Sequence, residues 1–265
     1  MFPPSRIVCL TEETVETLYL LGEQDRIVGV SGYAVRPPQV RREKPRVSAF
    51  ISADFDKILA LRPDLVITFS DLQADICAAL IRKGVAVHAF NQRTIGGILA
   101  MVRTLGALVG ANAKADALVG SLEGRIIMAR TRAEALPRRP KVYFEEWDEP
   151  MISGIGWVSE LIEVAGGIEA FPALAAEHSA RDRIVSADDV IACAPDIIIG
   201  SWCGKKFVPA KVAARPRFAA IPAVRTGWLR EIKSPLILQP GPAALTDGLD
   251  ALAAIIAEWA GTAPA

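Results

Sequence analysis

One stretch of this chain occurs twice, and it constrains the fold more than any other feature. Residues 56–67 (DKILALRPDLVI) align without gaps on residues 188–199 (DDVIACAPDIII). Each copy reads as a helix, a Pro-Asp turn and a buried strand. Proline cannot continue the helix, and the branched run after the aspartate suits a strand covered on both faces. A looser echo links residues 18–22 with 162–166, each a helix closed by a glycine. A helix-then-strand unit used twice implies two similar α/β lobes, residues 1–110 and 140–265.

The rest of the chain fits that reading. Residues 7–10 form a strand-like run and 11–21 a helical one, with Thr11 as the expected N-cap. Glu12 and Glu13 suit the positive end of that helix, and Gly22 its stop. Strands are then expected at 26–30, 65–69, 86–90, 141–145 and 196–200, with helices at 54–61, 72–82 and 95–109. Strands alternating with helices imply mostly parallel sheets. Between the lobes, Leu118, Leu122, Ile126, Ala129, Ala133 and Leu136 recur at spacings of three and four, one helical face. The segment 111–139 is therefore expected to hold a connecting helix about 37 Å long, or a surface helix of one larger domain.

Composition removes several function classes. Thirty basic and thirty acidic residues cancel, which argues against a nucleic-acid partner. No apolar run approaches the ~20 residues a membrane span needs. The four cysteines, Cys9, Cys77, Cys193 and Cys203, form no CxxC. The only histidines are His88 and His178, and His88 falls in a strand. A metal receptor built on several imidazoles is therefore not expected. There is no GxSxG, HExxH or P-loop, so the chain is not read as an enzyme.

The segments 6–11, 20–22, 27–31, Tyr33, Pro37-Pro38 and 58–67 together resemble the helical-backbone (class III) periplasmic solute-binding proteins of ABC transporters. The second lobe continues the likeness through 158–167, 195–199 and 238–242. Within that family the cobalamin-binding and ferric-siderophore receptors are the most similar. The resemblance implies two Rossmann-like lobes joined by one long helix, with a ligand cleft between them. It further implies capture of a corrinoid for an ABC permease by a monomer with no intrinsic cofactor. The alternatives are a ferric siderophore, haem, or a cytoplasmic corrinoid carrier or sensor. Carried over by position, the ligand-binding candidates are Tyr33, Phe50, Phe69, Trp147 and Trp202. Trp147 and Trp202 are each expected just past a strand end, where the cleft of an open α/β sheet lies. Aromatic faces suit a large flat ligand, although any of these rings could be core. Acidic residues around Trp147 and at Glu12-Glu13 would disfavour an anionic ligand if they line the site, with Lys205, Lys206 and Lys233 as opposing charges. Asp56 and Asp188 hold the family's transporter-docking positions, or are simply first-turn acids. Residues 1–6 lack the basic start and apolar stretch of a secretory leader. The expected compartment is periplasmic by the resemblance, and cytoplasmic if Met1 is the natural start.

Overall fold

The computed structural model describes residues 3–262, so the start at Met1 lies outside the described residues. The chain divides into two compact units, Met1–Gln92 with Gly96–Leu122, and Arg93–Ile95 with Glu123–Ala265. In the first, strands β1 (Ile7–Cys9), β2 (Ile27–Ser31), β3 (Arg46–Ser48), β4 (Leu65–Phe69) and β5 (Val87–Phe90) form one sheet. Its order is β3-β2-β1-β4-β5 and all pairs are parallel. The second holds β6 (Lys141–Asp148), β7 (Met151–Ser153), β8 (Ile168–Glu169), β9 (Ile197–Gly200) and β10 (Leu229–Glu231). Here the order is β10-β9-β6-β7, with β8 also on β6, and only the β6–β7 pair is antiparallel. The central strands β1, β4 and β9 are buried along their whole length, as strands covered on both faces should be.

The sequence repeat is a repeat of bonds as well as of residues. Asp54 and Ser186 cap the helices Phe55–Ala60 and Ala187–Cys193, each accepting from the backbone N–H three residues on. Each helix then exits through a left-handed residue, Arg62 (φ 45°) or Ala194 (φ 47°). The aspartate after the proline does the rest. Asp64 donates its N–H to the Arg6 carbonyl and accepts from the Ser5 and Arg6 N–H groups. Asp196 makes the same exchange with Lys141. Arg6 and Lys141 in turn donate to the Leu61 and Cys193 carbonyls, which occupy the same place in the two copies. The Pro-Asp turn therefore bolts β4 to the start of β1, and β9 to the start of β6.

The looser echo has a physical basis too. Helices Glu12–Leu20 and Gly156–Val164 both end in a Schellman motif. Glu23 N–H bonds to Leu18 O and Gly22 N–H to Tyr19 O; Gly167 N–H bonds to Ile162 O and Gly166 N–H to Glu163 O. Gly22 and Gly166 supply the required positive φ, 70° and 93°.

Helix Asn112–Glu134 runs from one unit into the other, stopping two residues short of Leu136. Its buried stripe is Ala115, Val119, Leu122 and Ile126, so Val119 rather than Leu118 is the innermost residue of the early turns. The Thr11 cap is a correction of a different kind. Thr11 occupies the N-cap, but its side chain makes no cap bond and instead donates to Glu13 Oε1 at 2.7 Å. The hydroxyl is oriented as a donor to the buried carboxyl two residues on rather than as an acceptor for the first turn. All four cysteines are free.

Candidate functional site

In a doubly wound sheet the ligand crevice opens at the carboxyl ends of the strands where the winding reverses. In the first lobe that point lies between β1 and β4. The backbone there is organised by Gln73, a residue absent from the expected set. Its side chain is wholly buried. Its amide nitrogen donates to Leu10 O at 3.2 Å and Phe50 O at 2.8 Å, and its oxygen accepts from Phe69 N at 3.1 Å. One side chain thus ties the ends of β1, β3 and β4 together. Ser70, beside it, has φ 65° and accepts from Leu72 N.

Around this hub the expected aromatics separate. Tyr33, past β2, is 49% exposed, whereas Phe69 ends β4 inside the core at 5%. Phe50 is half-buried, and its carbonyl serves Gln73. Ile51 and Leu72, which were not expected, are 71% and 59% exposed beside Phe50 and Ser70 in the chain. Glu12 and Glu13 follow β1 and are buried rather than solvated. Burial pushes the Glu12 carboxyl up to about 7. It pushes Glu13 up to about 8, with the Glu12 charge adding to the rise. Arg36 pairs with Glu16, one turn further along, at 2.8 Å.

In the second lobe the reversal falls between β6 and β9, and the corresponding hub is Glu145. Its side chain is fully buried. Arg215 grips both carboxylate oxygens, at 2.5 and 2.9 Å, while Trp202 Nε1 and Tyr143 Oη donate at 3.1 Å each. Burial works against the Arg215 charge, but the Glu145 carboxylate outweighs it and raises the guanidinium above its ordinary value. The Trp202 ring is consequently an interior group, 4% exposed and edge-on to Phe207 at 5.0 Å. It does follow β9 in the chain, but the buried carboxylate draws it inward. Gly200 makes this packing feasible, since a Cβ there would lie 1.8 Å from the Phe207 ring.

Trp147 also departs from expectation. It does not follow β6 but lies within it, because the turn at Glu149-Pro150 folds β7 back and extends β6 to Asp148. Its ring is partly exposed and its Nε1 donates to Glu149 O. Lys205 Nζ stands 4.0 Å over the Trp147 ring and 5.4 Å from that of Trp202, and pairs with Asp148.

The acidity around Trp147 is largely compensated. Arg215 answers Glu145, Lys205 answers Asp148, and the buried Arg183 answers Glu146 at 2.6 Å. Neither arginine was among the expected site residues. Asp56 and Asp188 are exposed and sit at the same position in the first turn of their helices; Asp188 pairs with Arg217. His88 packs edge-on against Phe90 at 4.3 Å, and burial lowers its pKa. Among the described residues no group of three or more His, Cys, Asp or Glu side chains is placed to hold a metal. No helix of the described residues is long and apolar enough to cross a membrane.

Comparison with known proteins agrees with this architecture. The cobalamin-binding protein of Halobacterium salinarum is 25% identical over 250 residues, 90% of this chain and 66% of that protein. The chain thus spans just under two thirds of that relative. The vitamin B12-binding protein of Vibrio cholerae is 27% identical over 76% of this chain and 71% of its own. Two solved structures share the fold. The periplasmic heme-binding protein RhuT of Roseiflexus superposes with TM-score 0.84 at 22% identity, covering 97% of this chain and 99% of that one. The vitamin B12-binding protein BtuF of Vibrio cholerae gives 0.77 at 22%, covering 98% and 99%. The family described as periplasmic binding protein matches residues 7–236, and the chain belongs to that family of substrate-binding proteins.

Proposed function

We propose that the chain binds a corrinoid and presents it to an ABC permease, as a binding protein without catalytic activity. The observation that carries this reading is the set of apolar groups left in solvent past the strand ends of the first lobe. Tyr33, Ile51 and Leu72 are all about half exposed or more, and they fall in the segments after β2, β3 and β4, at the strand ends where an open α/β sheet takes its ligand. A large ligand with flat apolar faces suits them. Trp147, with Lys205 over its ring, is the corresponding contact in the second lobe. Phe50 adds a half-buried ring, while Phe69 and Trp202 act from beneath the surface. Relatives named for cobalamin or vitamin B12 support the ligand class. Asp56 and Asp188, exposed at matched sites of the two lobes, are the proposed contacts for the permease.

Haem or a ferric siderophore is the second reading. It draws on the pairing of Glu145, Glu146 and Asp148 with basic side chains, which removes most of the repulsion an anionic ligand would meet. Thermal unfolding with and without cobalamin tests the first. A ligand that binds only the native state stabilises it by about 2.7 kcal/mol at one hundred times Kd. A rise in Tm with cobalamin supports the corrinoid; no rise with cobalamin, but a rise with haem, moves the assignment to the second reading.

A further inference from the structure

The turn after β1 holds an acid whose bonding is incomplete. Glu12 is 6% exposed, and its Oε2 has no hydrogen-bond partner among the described residues. Native proteins rarely leave such an atom unmet, because each unsatisfied buried group costs on the order of 1–3 kcal/mol. Both protonation states are deficient. Ionised, the carboxylate is served by the Glu12 backbone N–H but its Oε2 lacks a donor; protonated on Oε2, it lacks an acceptor. The neighbours do not supply one. Glu13 Oε1 is taken by the Thr11 hydroxyl, Thr14 Oγ1 is turned to Thr11 O, and Glu16 is paired with Arg36. The other titratable groups around this turn are Cys9, at the end of β1, and Lys44, whose charge reaches Cys9. The charges acting on Glu13 are those of Glu12 and Glu16, both acidic.

We infer that the Glu12 carboxyl is a receptor for a primary amide of the bound ligand, donating its proton to the amide oxygen while its other oxygen accepts the amide N–H. A neutral acid and a primary amide satisfy one another through two hydrogen bonds and leave no buried charge. The position fits, since Glu12 opens the helix that follows the central strand β1, beside the point where the winding reverses. Burial favours the neutral form, holding Glu12 at about 7. The inference rests on the corrinoid reading, because the corrin periphery carries primary amides where haem carries carboxylates.

The test is calorimetry with cobalamin against the wild type, Glu12→Gln and Glu12→Leu, from pH 5.5 to 8.5, at about half-unit steps. Wild-type affinity is expected to fall as pH rises through neutrality, since an ionised Glu12 cannot donate. Glu12→Gln, itself an amide, keeps the pairing, so it should bind like the acid-pH wild type and lose the pH dependence. Glu12→Leu should bind roughly tenfold more weakly at low pH. Circular dichroism and Tm establish that each variant is folded, and Glu12→Gln carries the test if Glu12→Leu is not. Cobalamin affinity that is flat with pH in the wild type, or a pH dependence that persists in Glu12→Gln, overturns this inference and leaves the corrinoid reading intact. Failure of the folded wild type to bind cobalamin overturns both.

Discussion

Replacing Arg215 by methionine removes one side chain and strands another. In the native lobe Glu145 is fully buried and meets four donors, two of them from the Arg215 guanidinium. The Arg215 side chain is 18% exposed and its guanidinium binds both carboxylate oxygens, so solvent screens the pair little. Deleting one partner of such a pair typically costs 3–5 kcal/mol, because a buried charge is left without its counter-charge. The residual exposure of Arg215 places this site at the lower end, about 3 kcal/mol. For a chain of this size that corresponds to a fall in Tm of roughly 6–12 °C. Trp202 and Tyr143 remain as donors but carry no charge. The double variant Glu145→Gln/Arg215→Met removes the charge as well, and should recover more than half of the loss. Urea unfolding of the wild type, both single variants and the double gives the coupling directly. A single-variant loss below about 1 kcal/mol, or a double variant no better than Arg215→Met, would refute the view that this carboxylate is the buried hub of the lobe.

Gln73→Leu deletes three buried hydrogen bonds that hold three strand ends in the first lobe. It should cost about 2–4 kcal/mol by urea unfolding and weaken cobalamin, since the loops it ties carry the proposed contacts. Glu12, Glu13 and Glu169 are all raised by burial, to about 7, 8 and 7. The native state thus keeps protons that the unfolded chain releases near pH 4.5, so stability should fall as pH rises from there to about 8. Glu13→Gln should flatten that slope and raise Tm at pH 8; an unchanged slope would count against burial of the acid. Trp147→Ala and Tyr33→Ala should weaken ligand binding by about 1–2 kcal/mol without lowering Tm greatly. Trp202→Ala should cost binding and about 3–5 kcal/mol of stability together, since its ring is core. Asp56→Ala and Asp188→Ala should leave affinity unchanged and reduce permease stimulation in reconstituted vesicles; loss of ligand affinity in these two would invert the assignment of faces.

The repeat was legible because its chemistry is local. The Pro-Asp turn, the helix caps and the glycine stops each depend on residues a few positions apart, and both copies fold alike. The long helix was legible from its apolar period, with Val119 hidden because Leu118 and Val119 both fit a broad stripe. The polar hubs were not legible. Arg215 meets Glu145 from 70 residues away, and Gln73 reaches Leu10 across 63. Nothing in either neighbourhood marks the residue as buried. The acidic run 145–149 reads as a loop, which misplaces Trp147, whereas Glu145, Glu146 and Asp148 are paired with basic side chains and the chain stays extended as a hairpin. Trp202 stands in a polar segment just past a strand, which reads as a site loop as readily as core. A single buried carboxylate, invisible as such in the sequence, turns it inward.

The central claim, that this binding protein takes a corrinoid, is tested most directly by titration calorimetry against cobalamin, cobinamide, haem and a ferric hydroxamate siderophore. The account predicts saturable one-to-one binding of cobalamin or cobinamide, with a negative heat-capacity change as apolar faces such as Tyr33, Ile51 and Trp147 are covered. Saturable binding of haem or the siderophore, with no heat from either corrinoid, would contradict it.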